Sequence, residues 1–292
     1  MTLTFGARLA VELAAGRHLC AGIDPHAGLL AEWGLADDAA GAERMGREVV
    51  TASAGVAACV KPQIAFYERF GSAGFAALER VLADARDAGL LVIADAKRGD
   101  IGSTFAAYAD AWLSPGSPLE ADALTVSPYL GFGALSGAFA HVRDHGKGLF
   151  ALAATSNPEA RDTQRAVLED GRTVARSMVD EARELGAALA AGSAAAGDAG
   201  AVGSVGVVLG ATLELADFGI DVAAPFSGPA LPVLAPGFGA QGGRIEDARA
   251  VFGSLGAALL ANESRSILAG GPVGLADRIL ARAEAIAAAL ES

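Results

Sequence analysis

Cysteine is scarce in this sequence, with only Cys20 and Cys59 among 292 residues. Both lie in apolar runs, and their spacing is not that of a metal-binding motif. A disulfide framework and a cysteine-bound metal are therefore not expected. Two buried thiols in a reducing compartment are the better interpretation, and they indicate a cytoplasmic protein.

Long apolar runs are also missing. No charge-free stretch reaches the roughly 20 residues that a membrane-spanning helix needs. Near the N-terminus, Arg8, Glu12 and Arg17 interrupt the apolar residues, so a secretory signal peptide is not expected either. We predict a soluble protein with no membrane partner.

Basic residues are outnumbered, with 22 lysines and arginines against 34 aspartates and glutamates and a formal net charge of -12. This balance argues against nucleic-acid binding, because a broad surface for nucleic acid carries an excess of positive charge. It does not exclude a local anion site. Any phosphate site must then be built from a few specific groups.

Apolar residues are abundant and make up 52% of the chain. Eight short apolar segments alternate with helical segments, which predicts an α/β fold of the (β/α)8 TIM barrel type, as a single domain over residues 1–292. The competing fold is a doubly wound sheet, which usually carries a glycine fingerprint after its first strand, and none follows Ile23. The predicted strands are Leu19–Ile23, Val56–Val60, Leu90–Ala94, Ala123–Val126, Gly148–Ala153, Val205–Leu209, Leu231–Ala235 and Ala257–Ala261.

The connecting segments show helical periodicity or a loop composition. The segment 190–203 is rich in alanine and glycine and is expected to be a flexible loop. The predicted helices after the first one are Ala42–Ala54, Phe75–Ala88, a helix beginning at Ser103 or Thr104, Thr163–Leu189, Ala211–Phe218 and Val273–Leu290.

The third predicted strand leads into two acids, a lysine and an arginine within six residues. If the strand continues, Asp95 and Lys97 stand two residues apart and point to the same face, while Asp100 lies beyond the strand. Ser103 or Thr104 could then cap the following helix. The alternative interpretation is a structural ion pair at the end of the strand, with no role in catalysis. Burying such charges on an apolar element is costly unless function requires it, which favours an active site.

Polar residues follow the other predicted strands as well. Asp24 follows the first strand, where it could cap the next turn, and Lys61 follows the second. His26 is expected to be a loop residue rather than a catalyst. Because barrel enzymes keep their active sites at the carboxyl ends of their strands, Lys61, Asp95 and Lys97 are expected to meet there.

The loops after the last two strands predict a phosphate site. The segment 237–243 is dense in glycine, and Arg265 follows the eighth strand. Barrels often bind phosphate with these two loops, through backbone N–H groups, and an arginine adds a bidentate fork. Gln241 could donate a further hydrogen bond. A flexible turn with a surface arginine is the alternative.

The expected centre is a lattice of alternating charge formed by Lys61, Asp95, Lys97 and Asp100. At an effective dielectric of ~20, unit charges ~4 Å apart interact by ~4 kcal/mol, so the lattice fixes the lysines and keeps them protonated. A protonated lysine can act as a general acid and can stabilise a developing carbanion. This chemistry suits the breaking of a bond to carbon without a cofactor.

These residues carry a resemblance to a known family. The chain resembles the orotidine 5'-phosphate decarboxylases, and in particular the longer bacterial branch of that family. The resemblance covers nearly the whole chain. Its residues are Asp95-Ala-Lys97-Arg-Gly-Asp100-Ile101-Gly-Ser-Thr104, with Lys61 upstream and Pro236-Gly-Phe-Gly-Ala-Gln241-Gly-Gly and Ser264-Arg265 downstream.

The resemblance implies an activity and a set of catalytic roles. The expected reaction converts orotidine 5'-monophosphate (OMP) to uridine 5'-monophosphate (UMP) and CO2, as the last step of UMP synthesis, in a homodimer without metal or organic cofactor. Lys97 would protonate the pyrimidine carbon that loses its carboxylate, and Asp95 would lie against that carboxylate. Lys61 would hydrogen-bond the ribose and Asp95.

The resemblance also implies the substrate contacts. Asp100 would reach into the partner subunit's site together with Ile101 and Thr104. The other substrate-binding residues would be Asp24 at the ribose, Ser156 at the pyrimidine, Gln241 and Arg265 at the phosphate, and Pro236 and Ser264 in the same set.

Two other functions remain open at this point. A metal-dependent sugar-phosphate decarboxylase or synthase on the same barrel would need an additional acid on a neighbouring strand end to hold Mg²⁺, whereas strand two ends in Lys61. A non-catalytic nucleotide-binding barrel would keep the phosphate site and lose the charge lattice. One departure from the family is the pair Asn262-Glu263, which stands where shorter members have a more apolar approach to the phosphate loop.

Overall fold

The fold is described by a computed structural model that covers residues 3–191, 202–224 and 228–291. Within these residues, eight parallel strands follow one another around a closed barrel, and the last strand pairs with the first. The predicted (β/α)8 barrel is therefore confirmed. The strands are β1 Leu19–Ile23, β2 Cys59–Pro62, β3 Leu91–Arg98, β4 Ala123–Val126, β5 Gly148–Ala154, β6 Val205–Leu209, β7 Val233–Pro236 and β8 Leu259–Glu263.

Several strands end later than the apolar runs predict. Lys61 lies inside β2 and pairs with Gly22, and Glu263 lies inside β8 and pairs with Ala21. Polar residues can stay in these strands because the carboxyl end of the barrel opens into a cavity, or because a partner outside the barrel neutralises their charge.

Helices cover the outside of the barrel. They are α1 Phe5–Ala14, α2 Ala27–Glu32, α3 Ala39–Ser53, α4 Ala65–Glu68, α5 Gly71–Asp87, α6 Gly102–Leu113, α7 Phe139–Asp144, α8 Arg161–Arg165, α9 Val174–Ala191, α10 Ala248–Phe252, α11 Arg265–Leu268 and α12 Leu275–Glu291. No helix in the described part of the chain is long and apolar enough to cross a membrane.

The predicted helix Thr163–Leu189 is wrong, because the chain turns between α8 and α9. Asp170 accepts a hydrogen bond from the Arg172 backbone N–H, and Gly171 has a φ of 83°, which together form a tight turn. The Thr173 hydroxyl then accepts a hydrogen bond from the Arg176 N–H, directly before α9 begins at Val174. Local turn chemistry thus overrides the helical period.

Two smaller predictions also need correction. The predicted helix Ala211–Phe218 is only a 3-10 turn at Leu215–Phe218. Helix α6 begins at Gly102, with Ile101 as N-cap residue and no side-chain cap, so neither Ser103 nor Thr104 caps it. The glycine, at a φ of 53°, lets the chain enter the helix before either hydroxyl is reached.

The predicted loop 190–203 lies mostly outside the described residues. Ala190 and Ala191 still belong to α9, and Val202 pairs with Ala230 in an isolated bridge. The structure gives no description of residues 192–201.

The apolar core has two layers. One layer lies between the strands and the helices, and the other fills the inside of the barrel below its carboxyl end. Cys20 and Cys59 belong to the inner layer, side by side across β1 and β2, and both are free thiols. Burial raises the pKa of the Cys59 thiol well above its ordinary value.

Helix α1 closes the amino end of the barrel. Phe5 is fully buried and packs edge-on against Phe150, with ring centroids 5.8 Å apart. A Cβ at Gly148 would lie only 2.6 Å from the Phe5 ring, so the strand needs glycine there. Arg8 on the same helix pairs with Asp122. Helix α1 therefore covers the amino end of the barrel, and the carboxyl end stays open.

The packing of α1 generates a stability prediction. We expect Phe5→Ala to lower the free energy of unfolding by about 3–5 kcal/mol, because it leaves a cavity at the floor of the barrel. Val11→Ala on the exposed side of the same helix should change it by less than about 0.5 kcal/mol. Urea unfolding measures both values, and equal effects of the two substitutions would contradict the assigned role of Phe5.

Candidate active site

A cavity of about 240 Å³ opens at the carboxyl ends of the strands. Its wall includes side chains from several strands and from the loops after β7 and β8. The lining residues are Asp24, Lys61, Gln63, Asp95, Lys97, Leu152, Thr155, Val208, Leu234, Pro236, Gly237, Phe238, Ala240, Gln241, Asn262, Ser264 and Arg265. Polar groups of both charges and an apolar wall therefore face one space.

A larger groove of about 730 Å³ lies on the outer surface, lined by α3 and residues near α5 and α12. Its charged side chains bind one another. Arg47 pairs with Asp84 at 2.6 Å and with Glu43 at 3.4 Å, and Arg44 pairs with Glu48 at 2.9 Å. These groups already neutralise one another, so the smaller cavity is the better candidate for chemistry.

The centre of the cavity is the carboxylate of Asp95. Lys61 Nζ lies 2.6 Å from its Oδ2, and Lys97 Nζ lies 2.5 Å from its Oδ1. Gln63 Nε2 donates to Oδ2 at 3.0 Å, and Thr125 Oγ1 donates to Oδ1 at 3.0 Å. The predicted meeting of Lys61, Asp95 and Lys97 is thus found, with four donors around one acid.

The two lysines differ in their access to solvent. The Lys61 side chain is 5% exposed, whereas the Lys97 side chain is 42% exposed. Burial alone would lower the pKa of Lys61, but the negative charges of Asp95 and Asp24 outweigh burial and raise it. Burial would raise the pKa of Asp95, but Lys61 and Lys97 outweigh burial and hold it well below its usual range. The buried pair is therefore ionised throughout the neutral pH range.

The backbone around Lys97 departs from a regular strand. The register of β3 against β4 shifts between Ala94 and Arg98. Among the described residues other than glycine, Lys97 alone has a positive φ, at 48°. Such a conformation costs roughly 1–2 kcal/mol and persists only where its surroundings enforce it. The Thr125 hydroxyl supplies part of that enforcement, since it accepts from the Lys97 N–H at 2.9 Å.

Two buried oxygen atoms on the cavity wall lack a hydrogen-bond partner among the described residues. They are Oδ1 of Asp24 and Oγ of Ser264. Buried polar atoms in native proteins are nearly always satisfied, so a ligand in the cavity is the natural partner for both. The cap of α2 is His26, whose Nδ1 accepts from Leu29 N–H, and not Asp24, so the suggested capping role of Asp24 is wrong.

One side of the cavity combines a glycine loop with Arg265. Gly237, Gly239 and Gly242 have φ values of 118°, 67° and 95°, which residues with a side chain rarely adopt. Within the part of the chain that the structure describes, the exposed guanidinium of Arg265 forms no ion pair or hydrogen bond. The loop, Gln241 and the Arg265 guanidinium thus lie on the same cavity, and their binding of a phosphate stays a prediction.

Four of the residues predicted for the site do not line the cavity of this chain. Asp100 is half-buried, and its Oδ1 accepts from the Ile101 N–H at 2.8 Å. Ile101, Thr104 and Ser156 are exposed, and Thr155 rather than Ser156 faces the cavity. One chain therefore brings together Asp24, Lys61, Asp95, Lys97, Pro236, Gln241, Ser264 and Arg265.

Besides Thr155, sequence reasoning did not predict three polar residues of the cavity centre and wall. Gln63 stands two residues after Lys61 and thus on the same face of its strand, and this spacing could have identified it. Thr125 holds both Asp95 and the Lys97 backbone, but a threonine inside an apolar strand gives no signal of its own. Asn262 lines the cavity and accepts from the Cys20 thiol at 3.4 Å.

A group of three or more His, Cys, Asp or Glu side chains placed to hold a metal ion does not occur in residues 3–191, 202–224 and 228–291. The neighbouring strand β2 brings Lys61, and not an acid, to the carboxylate of Asp95. An ammonium group repels a divalent cation. The donor set around Asp95 is therefore suited to an anionic or carbanionic ligand.

The charge cluster predicts how stability depends on pH. We expect Asp95→Asn to lower the free energy of unfolding at pH 7 by about 3–5 kcal/mol, because it leaves buried Lys61 without its main counter-charge. Since the folded pKa of Asp95 is depressed, its contribution is present above its ordinary value of about 3.9 and is lost as the pH falls below it. The difference in free energy of unfolding between the wild type and Asp95→Asn should therefore become smaller in acid.

Urea unfolding at about pH 7 and about pH 3 measures that gap. Asp87→Asn, at an exposed aspartate on the outside of the barrel, is the control and should show no gap at either pH. A gap for Asp95→Asn that stays constant between the two pH values would contradict the depressed pKa.

Comparisons with known proteins find similarity to one family along nearly the whole chain. A profile of the Orotidine 5'-phosphate decarboxylase / HUMPS family matches residues 17–286. An orotidine 5'-phosphate decarboxylase of Nocardioides sp. is 52% identical over 269 residues, which are 91% of this chain and 92% of that protein. The enzyme of that name from Salinispora tropica is 50% identical over 283 residues, 95% of this chain and 96% of that protein.

Solved structures show the same similarity. A crystal structure assigned as orotidine 5'-phosphate decarboxylase from Streptomyces avermitilis is 48% identical, with a TM-score of 0.87, over 100% of this chain and 97% of that one. The OMP decarboxylase of Leishmania donovani is 30% identical, with a TM-score of 0.73, over 98% of this chain and 99% of that one.

Proposed function

The chain belongs to the orotidine 5'-phosphate decarboxylase / HUMPS family, and on that premise we propose how its cavity removes CO2 from OMP. Its activity is that of an orotidine 5'-phosphate decarboxylase, in the synthesis of pyrimidine nucleotides. The observation that carries the mechanism is the ion triad, in which Asp95 is held between Lys61 and Lys97 on the cavity wall.

The proposed reaction takes place at the exposed lysine. The bond between the pyrimidine ring and its carboxylate breaks, CO2 leaves, and the electron pair stays on the ring carbon. Lys97 stabilises this developing carbanion with its charge and then transfers a proton from Nζ to the carbon, which gives UMP. Because the Lys97 side chain is 42% exposed, solvent can return the proton for the next turnover.

Asp95 contributes in two ways. Its four donors fix it, so a substrate carboxylate brought next to it is repelled, and it holds the Lys97 ammonium group in place. At a dielectric of ~20, the repulsion supplies a few kcal/mol at most, whereas enzymes commonly lower barriers by ~8–23 kcal/mol. Most of the rate must therefore come from stabilisation of the carbanionic transition state.

The rest of the cavity binds the parts of the substrate that do not react. Asp24, with its unpartnered Oδ1, is suited to accept from the ribose hydroxyls beside Lys61. Arg265 and Gln241, with the backbone of the glycine loop, are suited to the phosphate. Binding energy from these remote contacts can then be used at the reacting carbon.

The remaining residues of the substrate-binding set are assigned by position. Pro236 and Ser264 line the cavity, and they are assigned to the part of the wall that would face the ribose and the phosphate. Ser156 would contact the pyrimidine, although Thr155 is the residue that lines the cavity in this chain, so Ser156 must turn inward to do so.

We propose that the reaction needs no metal or organic cofactor. A magnesium-dependent decarboxylase or synthase would stabilise its intermediate with a cation held by several acids. Here the centre supplies two ammonium groups for that purpose, and Lys61 stands where a further acid would be required. A non-catalytic barrel is disfavoured because the lysine–aspartate–lysine triad is intact.

A homodimer is proposed to complete the site. Asp100, Ile101 and Thr104 lie outside this chain's cavity, next to an exposed apolar surface. Ile101 is 59% exposed and Leu130, which leads into the turn that packs on α6, is 57% exposed. Tyr108 and Tyr129 add to this surface. A second copy of the chain that covers it would carry its Asp100 to the neighbouring cavity.

Two broader proposals follow from the sequence and its relatives. The two free, buried thiols fit a reducing compartment, which supports a cytoplasmic location. The bacterial relatives match over at least nine-tenths of their own length, which supports a place in the longer bacterial branch of the family.

The proton-donor role predicts the effect of Lys97→Ala. Turnover of OMP, followed by its loss of absorbance, should fall by about a thousandfold or more, because both proton donor and charge are lost. Binding of UMP should persist, because the phosphate and ribose contacts remain. The control is Lys147→Ala, which removes a lysine paired with Glu120 at the other end of the barrel and should retain turnover.

The same assay is run with and without EDTA. Unchanged turnover in EDTA is expected for a reaction driven by lysine alone. Near-normal turnover by Lys97→Ala would overturn its role, and loss of wild-type activity in EDTA would favour the metal-dependent alternative.

The shared site predicts complementation between two inactive variants. Lys97→Ala and Asp100→Ala should each be inactive as homodimers. After the two are unfolded together and refolded at equal amounts, half of the dimers are mixed, and each mixed dimer has one site with Lys97 and the partner's intact Asp100. About one quarter of wild-type activity should return. No recovery, with dimers verified by light scattering, would place Asp100 and Lys97 of one chain in the same site.

A further inference from the structure

A buried carboxylate that the proposed mechanism does not use lies behind the phosphate-facing loops. It belongs to Glu263, the last residue of β8, whose side chain is 0% exposed. Its neighbours Asn262 and Ser264 line the cavity. Because side chains alternate along a strand, Glu263 points the other way, out of the barrel and towards α12.

Glu263 is held from the helix side by an arginine fork. Arg282 of α12 donates from Nε to Oε2 at 2.9 Å and to Oε1 at 3.2 Å, and its Nη2 also binds Oε1. Two or more parallel donors fix the plane of a carboxylate as well as its position. The Glu263 side chain therefore has a single defined orientation on the outer side of β8.

The same carboxylate is in contact with both segments of the proposed phosphate site. The Ser266 hydroxyl, one residue after Arg265 in α11, donates to Glu263 Oε2. In the glycine loop, a Cβ at Gly239 would lie 3.3 Å from Glu263 Oε2 and 2.9 Å from Ser266 Cβ. The loop therefore packs directly on the Glu263–Ser266 pair and requires glycine at that point.

This arrangement is costly unless it has a purpose. A buried ion pair rarely stabilises a fold more than apolar residues of the same size, and a carboxylate behind an anion site would repel the anion if Arg282 did not neutralise it. What such a pair provides is a fixed geometry. Here the geometry that it fixes is the start of α11, which carries Arg265, relative to the loop that carries Gln241.

We propose that Glu263, held by Arg282 and Ser266, is a positioning residue that sets the phosphate site. The proposal rests on the proposed function, because it assigns the phosphate of OMP to Arg265 and the glycine loop. It does not place Glu263 in contact with substrate. Its effect passes through the phosphate alone, so it must vanish for a substrate that has none.

The test compares OMP with orotidine, which has the same base and ribose and no phosphate. In Glu263→Gln, which keeps the shape of the side chain and loses its charge, kcat/KM for OMP should fall about tenfold or more, while the value for orotidine should change less than about twofold. Ser266→Ala should also lower kcat/KM for OMP, but by a smaller factor. In both variants, the affinity for UMP relative to that for uridine, measured by calorimetry, should also fall.

Glu120→Gln is the matched control. Glu120 also pairs with a basic side chain, Lys147, at 2.6 Å, but at the amino end of the barrel. It should leave the values for both substrates unchanged. If Glu263→Gln does not fold, Ser266→Ala and the binding ratio still decide the question.

A parallel fall for OMP and orotidine would overturn the proposal, because it would show a general effect on structure or chemistry. Unchanged values for both substrates would overturn it too. If the wild-type protein does not decarboxylate OMP, the proposed function itself fails. If the wild type decarboxylates OMP but Glu263→Gln does not lower kcat/KM for OMP more than for orotidine, only the inference about Glu263 fails.

Discussion

The active site depends on one interaction, the binding of the Asp95 carboxylate by four donors. Lys61 and Gln63 come from β2 and its end, Lys97 from β3 and Thr125 from β4. Their distances are therefore set by the register of three neighbouring strands, and that register is set by closure of the barrel. The charge cluster is a property of the sheet, and it does not rely on the conformation of a long loop.

The two lysines on Asp95 divide their tasks by exposure. Lys61 is almost fully buried, and the negative charges of Asp95 and Asp24 raise its pKa against the effect of burial. Lys97 shares the same partner but is partly exposed, and it stands on a strained turn of backbone that Thr125 supports. A proton donor needs access both to the reacting carbon and to solvent, and this difference in exposure is why the proposed mechanism gives the proton transfer to Lys97 and a fixed position to Lys61.

The barrel could be predicted because strand-length apolar runs alternate with helices, and a charged residue on such a run stands out. Lys61, Asp95 and Lys97 were found for that reason. Gln63 and Thr125 were not, because an uncharged polar residue near a strand end has many ordinary explanations. The break between α8 and α9 depends on the turn at Asp170–Arg172, a local hydrogen bond that overrides periodicity.

The phosphate site has to work against the net charge of the chain. The protein carries -12 and its substrate is an anion, but salt screens charges beyond about 8–10 Å, so the distant acids have little effect at the cavity. What remains is short-range, and the lysines at the centre are already bound to Asp95. In the proposed function, recognition of the phosphate then depends on a few groups around Arg265, and each must be held in place. A buried, neutralised ion pair behind them, Glu263–Arg282, supplies that support without exposing another charge to the substrate.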